Sequence, residues 1–181
     1  MNLQFWCRRM VLAPLTALSI NHAFAAGTLT GQLGIQVTIS EGCTVGNNSS
    51  SGTVNNWGSI NFGTYADLAN IIDGSMLGAD GSSTVTVTCT SGLSPTLTLD
   101  GGLHGSGTLR SMSAGSTQIP YRLYSNAARS AEIPVNGSLA LAADGTQQSI
   151  PIFGRILPSD QSTTAPASGT YADTVTATLA W

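Results

Sequence analysis

From Leu33 onward, apolar and polar residues alternate one for one. Leu33, Ile35, Val37 and Ile39 fall on one side, and Gln32, Gly34, Gln36 and Thr38 on the other. Side chains alternate across a β-strand, so residues 29–39 predict a strand with one face meant for burial. About 11 residues at strand rise span roughly 37 Å, against a usual strand of about five or six residues. No hairpin turn follows, because Ser40-Glu41-Gly42 leads straight to Cys43. Periodicity alone leaves open whether this strand pairs within its own domain or elsewhere.

The same alternation recurs in shorter runs. Trp57, Ser59, Asn61 and Gly63 oppose Ile60 and Phe62, while Val85, Val87 and Cys89 share a face. Thr96-Leu97-Thr98-Leu99 repeats the pattern. Residues 119–124 follow, with Tyr121 and Leu123 on one side and Pro120 near the start, where a residue without an N–H belongs. Residues 138–141 and 149–156 predict two more strands, the latter with Ile150, Ile152 and Gly154 opposite Phe153. At the end, Tyr171, Val175, Ala177, Leu179 and Trp181 share a face with Asp173 and predict a final strand over 171–181. Leu68, Ile71 and Ile72 are spaced like a helical turn, and the Gly/Ser-rich stretch 103–116 reads as a loop or short edge strand. Asp80, Asp100 and Asp144 each precede a glycine and mark turns. Many short alternating strands separated by turns predict an all-β sandwich.

The first 25 residues stand outside that pattern. Arg8-Arg9, the apolar run 10–20 and Ala23-Phe24-Ala25 read as a secretory signal peptide with its cleavage site. The apolar run is too short to span a membrane. Cleavage after Ala25 leaves two cysteines, Cys43 and Cys89, and an even pair in an oxidising compartment reads as one disulfide. Two of the six basic residues go with the leader. Four arginines then face nine acidic residues, with no lysine, which argues against nucleic acid or anionic lipid as a partner.

Chemistry is hard to find. The exported part has one histidine, His104, in a Gly-rich turn, and no serine stands in a G-x-S-x-G elbow. No calcium-loop or C-x-x-C pattern occurs, so no catalytic residue, metal or cofactor is expected. Asn47, Asn48 and Asn136 sit in N-x-S triplets that read as turn residues. Trp57, Tyr65 and Tyr124 suit packing better than a sugar-binding face.

Several stretches, in order, resemble the spore coat protein U-like domain of archaic (Csu-type) chaperone–usher pilins. They are Gly31-Gln32-Leu33 to Ile39 leading into Gly42-Cys43-Thr44-Val45, Ile60-Asn61-Phe62-Gly63, and Val85-Thr86-Val87-Thr88-Cys89. Asp100-Gly101-Gly102, Tyr121-Arg122-Leu123-Tyr124, Ile150-Pro151-Ile152-Phe153-Gly154-Arg155-Ile156 and Gly169-Thr170-Tyr171-Ala172-Asp173 continue the series. The resemblance implies an incomplete immunoglobulin-like β-sandwich that lacks its last strand and is completed by donor-strand complementation. It implies a signal peptide over 1–25, a donor extension over 26–40 and a pilin domain over 41–181. Leu29, Gly31, Leu33, Ile35, Val37 and Ile39 would form the donor strand. Tyr171, Val175, Ala177, Leu179 and Trp181 would border the acceptor groove. The expected function is a structural pilin subunit of an extracellular fimbria, exported through the periplasm, that supports attachment and biofilm formation. The implied partners are neighbouring copies of itself or related pilins, a periplasmic chaperone and an outer-membrane usher. A non-polymeric exported coat protein, or an adhesin-like binding module on the same fold, is the alternative.

Overall fold

The computed structural model describes residues 30–46, 56–79, 81–82 and 84–181. The expected signal peptide, Leu29, Asn47 and Asn48 lie outside the described residues. The chain divides into two units, Met1–Thr38 and Ile39–Trp181. Of the first, residues 30–38 are described; they carry no strand or helix, and each is exposed.

The second unit carries eleven strands among its described residues. They are β1 (Cys43–Val45), β2 (Gly58–Ile60), β3 (Ile72–Gly78), β4 (Val85–Cys89), β5 (Thr96–Leu99) and β6 (Arg110–Ala114). Then come β7 (Thr117–Tyr124), β8 (Ser138–Ala140), β9 (Gln147–Ile150), β10 (Phe153–Ile156) and β11 (Ala177–Ala180). The 3₁₀ turn Pro158–Asp160 is the one helical element among the described residues. All ladders are antiparallel, and three sheets result: β1-β4-β9, β2-β3-β10-β7-β6 and β11-β5-β8.

One core serves all three sheets. Val87, Cys89 and Ile150 enter it from the first, Ile72, Ile119, Tyr121, Leu123 and Ile156 from the second, and Leu97 and Leu99 from the third. The alternation in β4 and β5 therefore does what the sequence implies: valines and leucines face inward while threonines stay half-buried on the other side. In the five-stranded sheet, Gly74 and Gly154 are ladder partners, and the Phe62 ring lies on both. A Cβ on Gly154 would come within 2.6 Å of Phe62 Cζ, so the ring occupies the room that side chains would need. Phe62 in turn meets the Tyr121 ring at 6.2 Å between centroids, tilted by 58°.

Four expectations need correction. The helix-like stretch near Ile72 is strand β3, whose pairing with β2 and β10 overrides the local spacing. Residues 149–156 are not one strand: the chain breaks at Pro151, sending β9 to β4 and β10 between β3 and β7. Pro120 sits inside β7 rather than at its start, opposite Ser111 of the edge strand β6. The 11-residue strand expected over 29–39 is not formed in its described part, because a strand needs a ladder and no ladder includes residues 30–42.

Candidate functional site

β11 lies at the end of its sheet and has one strand neighbour among the described residues, β5. Its register sets Ala177 against Leu99 and Leu179 against Leu97, both buried. Along β11 burial alternates strictly, but the inward positions Ala177 and Leu179 reach only partial burial. Tyr171 and Val175 are likewise half-buried against the core, so this apolar face is covered on its inner side and incompletely elsewhere. Trp181 is 54% exposed, and its indole stands near Gly42, where an added Cβ would lie 3.9 Å from Cζ2. The final strand is thus shorter than the expected 171–181. Tyr171 precedes it, turning its hydroxyl back to donate to the Ala167 carbonyl at 2.8 Å.

Residues 172–176 owe their path to polar contacts rather than a continuous ladder. Ala172 exchanges two backbone hydrogen bonds with Ser113 of β6, at 2.9 and 3.2 Å. The Asp173 carboxylate accepts from the Tyr121 hydroxyl at 2.7 Å and from the Leu103 N–H at 2.9 Å. Asp100 grips Thr176 twice: its N–H donates to the Thr176 carbonyl at 3.0 Å, and its carboxylate accepts the Thr176 N–H at 2.8 Å. The same carboxylate oxygen accepts the Gly102 N–H at 2.9 Å. Gly102 has φ +75°, and a Cβ there would overlap the Asp173 carboxylate, so only glycine suits this turn.

Arg110 organises the other side of this corner. It is 2% exposed, yet its guanidinium faces backbone carbonyls rather than a carboxylate. Nε donates to Asp100 O at 2.7 Å, Nη1 to Ile133 O at 2.8 Å, and Nη2 to Leu99 O and Pro134 O at 3.0 Å each. Burial pushes its pKa down, but an arginine stays charged regardless. Burial, and then the Asp173 hydrogen bond, push the Tyr121 hydroxyl up, so it remains a donor. The sequence places Arg110 in a Gly/Ser-rich stretch read as a loop or short edge strand, and the structure makes it the first residue of the edge strand β6. The readable signal was Asp173, a carboxylate on an otherwise apolar face.

The candidate donor residues present the opposite picture. Leu33, Ile35, Val37 and Ile39 are 85%, 89%, 82% and 84% exposed, and Gly31 is exposed with them. Exposed aliphatic residues at every second position of this stretch are uncommon on a folded surface. Downstream, Cys43 and Cys89 are joined by a disulfide. Of Trp57, Tyr65 and Tyr124, Tyr124 is buried and Trp57 packs against the core, while Tyr65 is 56% exposed, so the three do not share one open face. Among the described residues no group of three or more His, Cys, Asp or Glu is placed to hold a metal.

No curated protein matches this chain significantly in sequence. Among solved structures, the chain resembles one in the crystal structure of the CsuC–CsuE chaperone–tip adhesion subunit pre-assembly complex, from the archaic chaperone–usher Csu pili of Acinetobacter baumannii. That match has 21% identity and a TM-score of 0.50, over 80% of this chain and 40% of the other. The likeness is one of fold, and this chain spans about two-fifths of the length of its match. The model of the Spore Coat Protein U domain matches residues 29–178. A match from the first residue of the alternating stretch into β11 covers most of the sequence, and the chain belongs to the Spore Coat Protein U domain family.

Proposed function

We propose that this chain is a structural pilin subunit, linked to its neighbours by donor-strand exchange in an extracellular fimbria. One subunit gives Leu29, Gly31, Leu33, Ile35, Val37 and Ile39 as a strand. A neighbouring copy accepts it along β11, where Tyr171, Val175, Ala177, Leu179 and Trp181 border the groove. The observation that carries this reading is a pair of complementary deficits: a row of aliphatic side chains exposed by 82–89%, and an apolar edge strand with a ladder on one side. Strand addition resolves both, with backbone hydrogen bonds giving the pairing and alternate side chains filling the groove. Burying four aliphatic side chains at about 1.5–3 kcal/mol each contributes roughly 6–12 kcal/mol before ordering costs. The contact is head-to-tail and does not close on itself, so it builds a filament rather than a ring.

Before assembly the same edge needs cover. A periplasmic chaperone fits that role, in keeping with the chaperone present in the Csu complex whose fold this chain shares. An outer-membrane usher would then pass the subunit to the surface, where the filament supports attachment and biofilm formation. The arginines suit a structural rather than a catalytic or nucleic-acid-binding protein. Arg122 pairs with Glu132 and Asp160, and Arg129 and Arg155 both pair with Asp73.

The test is to purify the full chain without a partner and compare it with a version carrying a second copy of residues 29–39 beyond Trp181. The chain alone is expected to form heterogeneous oligomers, and the fusion a stable monomer. A tight, stable monomer without the fusion would overturn the reading.

A further inference from the structure

An edge strand with a ladder on one side has little to keep it straight while its other side is empty. β11 is four residues long, and the segment leading into it has no ladder between Ala172 and Thr176. What it has instead is the corner made by Asp100, Gly102, Arg110, Tyr121 and Asp173. Its contacts reach the approach to β11, the β5 end that pairs with it, and the Ile133 and Pro134 carbonyls. Asp173 joins that approach to β7 through Tyr121, and Asp100 clamps Thr176 from the end of β5. Arg110 fixes the carbonyls of Leu99 and Asp100, which are the β5 end of the same clamp.

We propose that Asp173 and Asp100 are positioning residues that hold residues 173–180 in a strand-ready path while the acceptor edge is empty, with Tyr121 fixing the Asp173 carboxylate and Arg110 fixing the backbone carbonyls of Leu99 and Asp100. This rests on the strand-exchange reading for its purpose, though the positioning itself is a property of the unoccupied chain. A prearranged edge lowers the ordering cost met when a strand arrives, so the effect falls on the association rate. Once a donor strand has paired along β11, its own ladder supplies the restraint, and dissociation depends little on the corner. The charged and titratable groups facing the two carboxylates are Arg110 and Tyr121, with Glu132 contributing at longer range to Arg110.

The test uses the full chain carrying Val37→Asp, which keeps its own donor strand out of the reaction, and a synthetic peptide of residues 29–40. Asp173→Ala is expected to slow peptide association roughly tenfold or more, the scale of losing hydrogen bonds to a charged group, with the dissociation rate near that of the parent. Asp173→Asn keeps an acceptor for Leu103 N–H and is expected to restore most of the rate. Ile150→Val, a core change away from the corner, serves as a control for general destabilisation. In the absence of peptide, amide exchange at 176–180 is expected to rise about tenfold in Asp173→Ala while exchange in β4 is unchanged. Unchanged exchange at 176–180, or an equal rise in β4, would overturn the positioning role. A parent protein that never captures the peptide would instead overturn strand exchange, and the exchange experiment would still decide the positioning.

Discussion

Cys43 and Cys89 are direct partners in the β1–β4 ladder, with their Cα atoms 4.0 Å apart, and the disulfide between them closes a sequence separation of 46 residues. β1 is three residues long and has β4 as its one strand neighbour among the described residues. Three residues separate it from Ile39. If subunits are linked as proposed, a pull on residues 29–39 reaches the domain at Gly42, hydrogen-bonded to Thr90, and at Cys43, whose disulfide passes it to β4, where Val87 and Cys89 are 1% exposed. Replacing both cysteines by alanine is expected to lower stability by up to about 4 kcal/mol in the chain-entropy account. Urea unfolding of the fused monomer measures this, and filaments of the variant should break at lower force.

Gly154 is set by a ring rather than by a turn. Gly154→Ala would drive a methyl group into Phe62, whose Cζ and Cε1 stand 2.6 and 2.9 Å from the Cβ position. Overpacking of this kind costs about 1–3 kcal/mol. The smaller side chain in Phe62→Leu leaves room for the methyl, so the double variant should recover part of the loss. Independent penalties that simply add in the double variant would refute the contact as the cause.

Acid should weaken the domain through the aspartates that bind backbone and arginine donors. Arg155, hydrogen-bonded to Asp73, is the main cause holding that carboxyl below its usual value, with Arg129 adding to it. Burial pushes Asp100 up, but the N–H groups of Gly102 and Thr176 outweigh it and leave the carboxyl lowered. A carboxyl lowered in the folded state binds protons more weakly there than in the unfolded chain. Its stabilisation is full above the unfolded value of about 4 and is lost as pH falls through the folded value. The urea midpoint should therefore be level from about pH 7 to 5 and decline below about 4. Asp100→Asn should flatten part of that decline. An unchanged acid slope in this variant would remove Asp100 from the account.

Where alternation was unbroken, as in β4 and β5, the sequence sufficed to place the strands and their buried faces. It misled where a partner from elsewhere supplies what a side chain normally would. The inward face of β3 includes Gly74 and Gly78, with Phe62 filling the space over Gly74, so the only local pattern near Ile72 was the helix-like spacing of Leu68, Ile71 and Ile72. Arg110 stands at a buried position in β6 because carbonyls from two other stretches, Leu99–Asp100 and Ile133–Pro134, converge on it, and no local pattern announces such a convergence. Residues 149–156 kept one phase, with Ile150, Ile152, Gly154 and Ile156 all buried, so alternation had no means of showing a change of sheet at Pro151. That β11 has one strand neighbour among the described residues was legible only indirectly. Tyr171, Val175, Ala177 and Leu179 share an apolar face, but partial burial at each of them is a fact of the folded chain.

The sharpest test of the donor strand sets its two faces against each other. Val37 and Gln36 are neighbours in sequence, and in an extended strand they point to opposite sides. If Leu33, Ile35, Val37 and Ile39 enter the groove, Val37→Asp places a carboxylate among apolar side chains without a partner. That costs several kcal/mol or forces the group to take up a proton. Gln36→Asp adds the same charge on the face turned away from the groove, where water can reach it. Because Val37 is 82% exposed in the single chain, neither change should disturb the fold or the Cys43–Cys89 disulfide. Electron microscopy of assembled material should show filaments for Gln36→Asp and none for Val37→Asp. Equal assembly of the two would mean that the apolar face does not enter a groove.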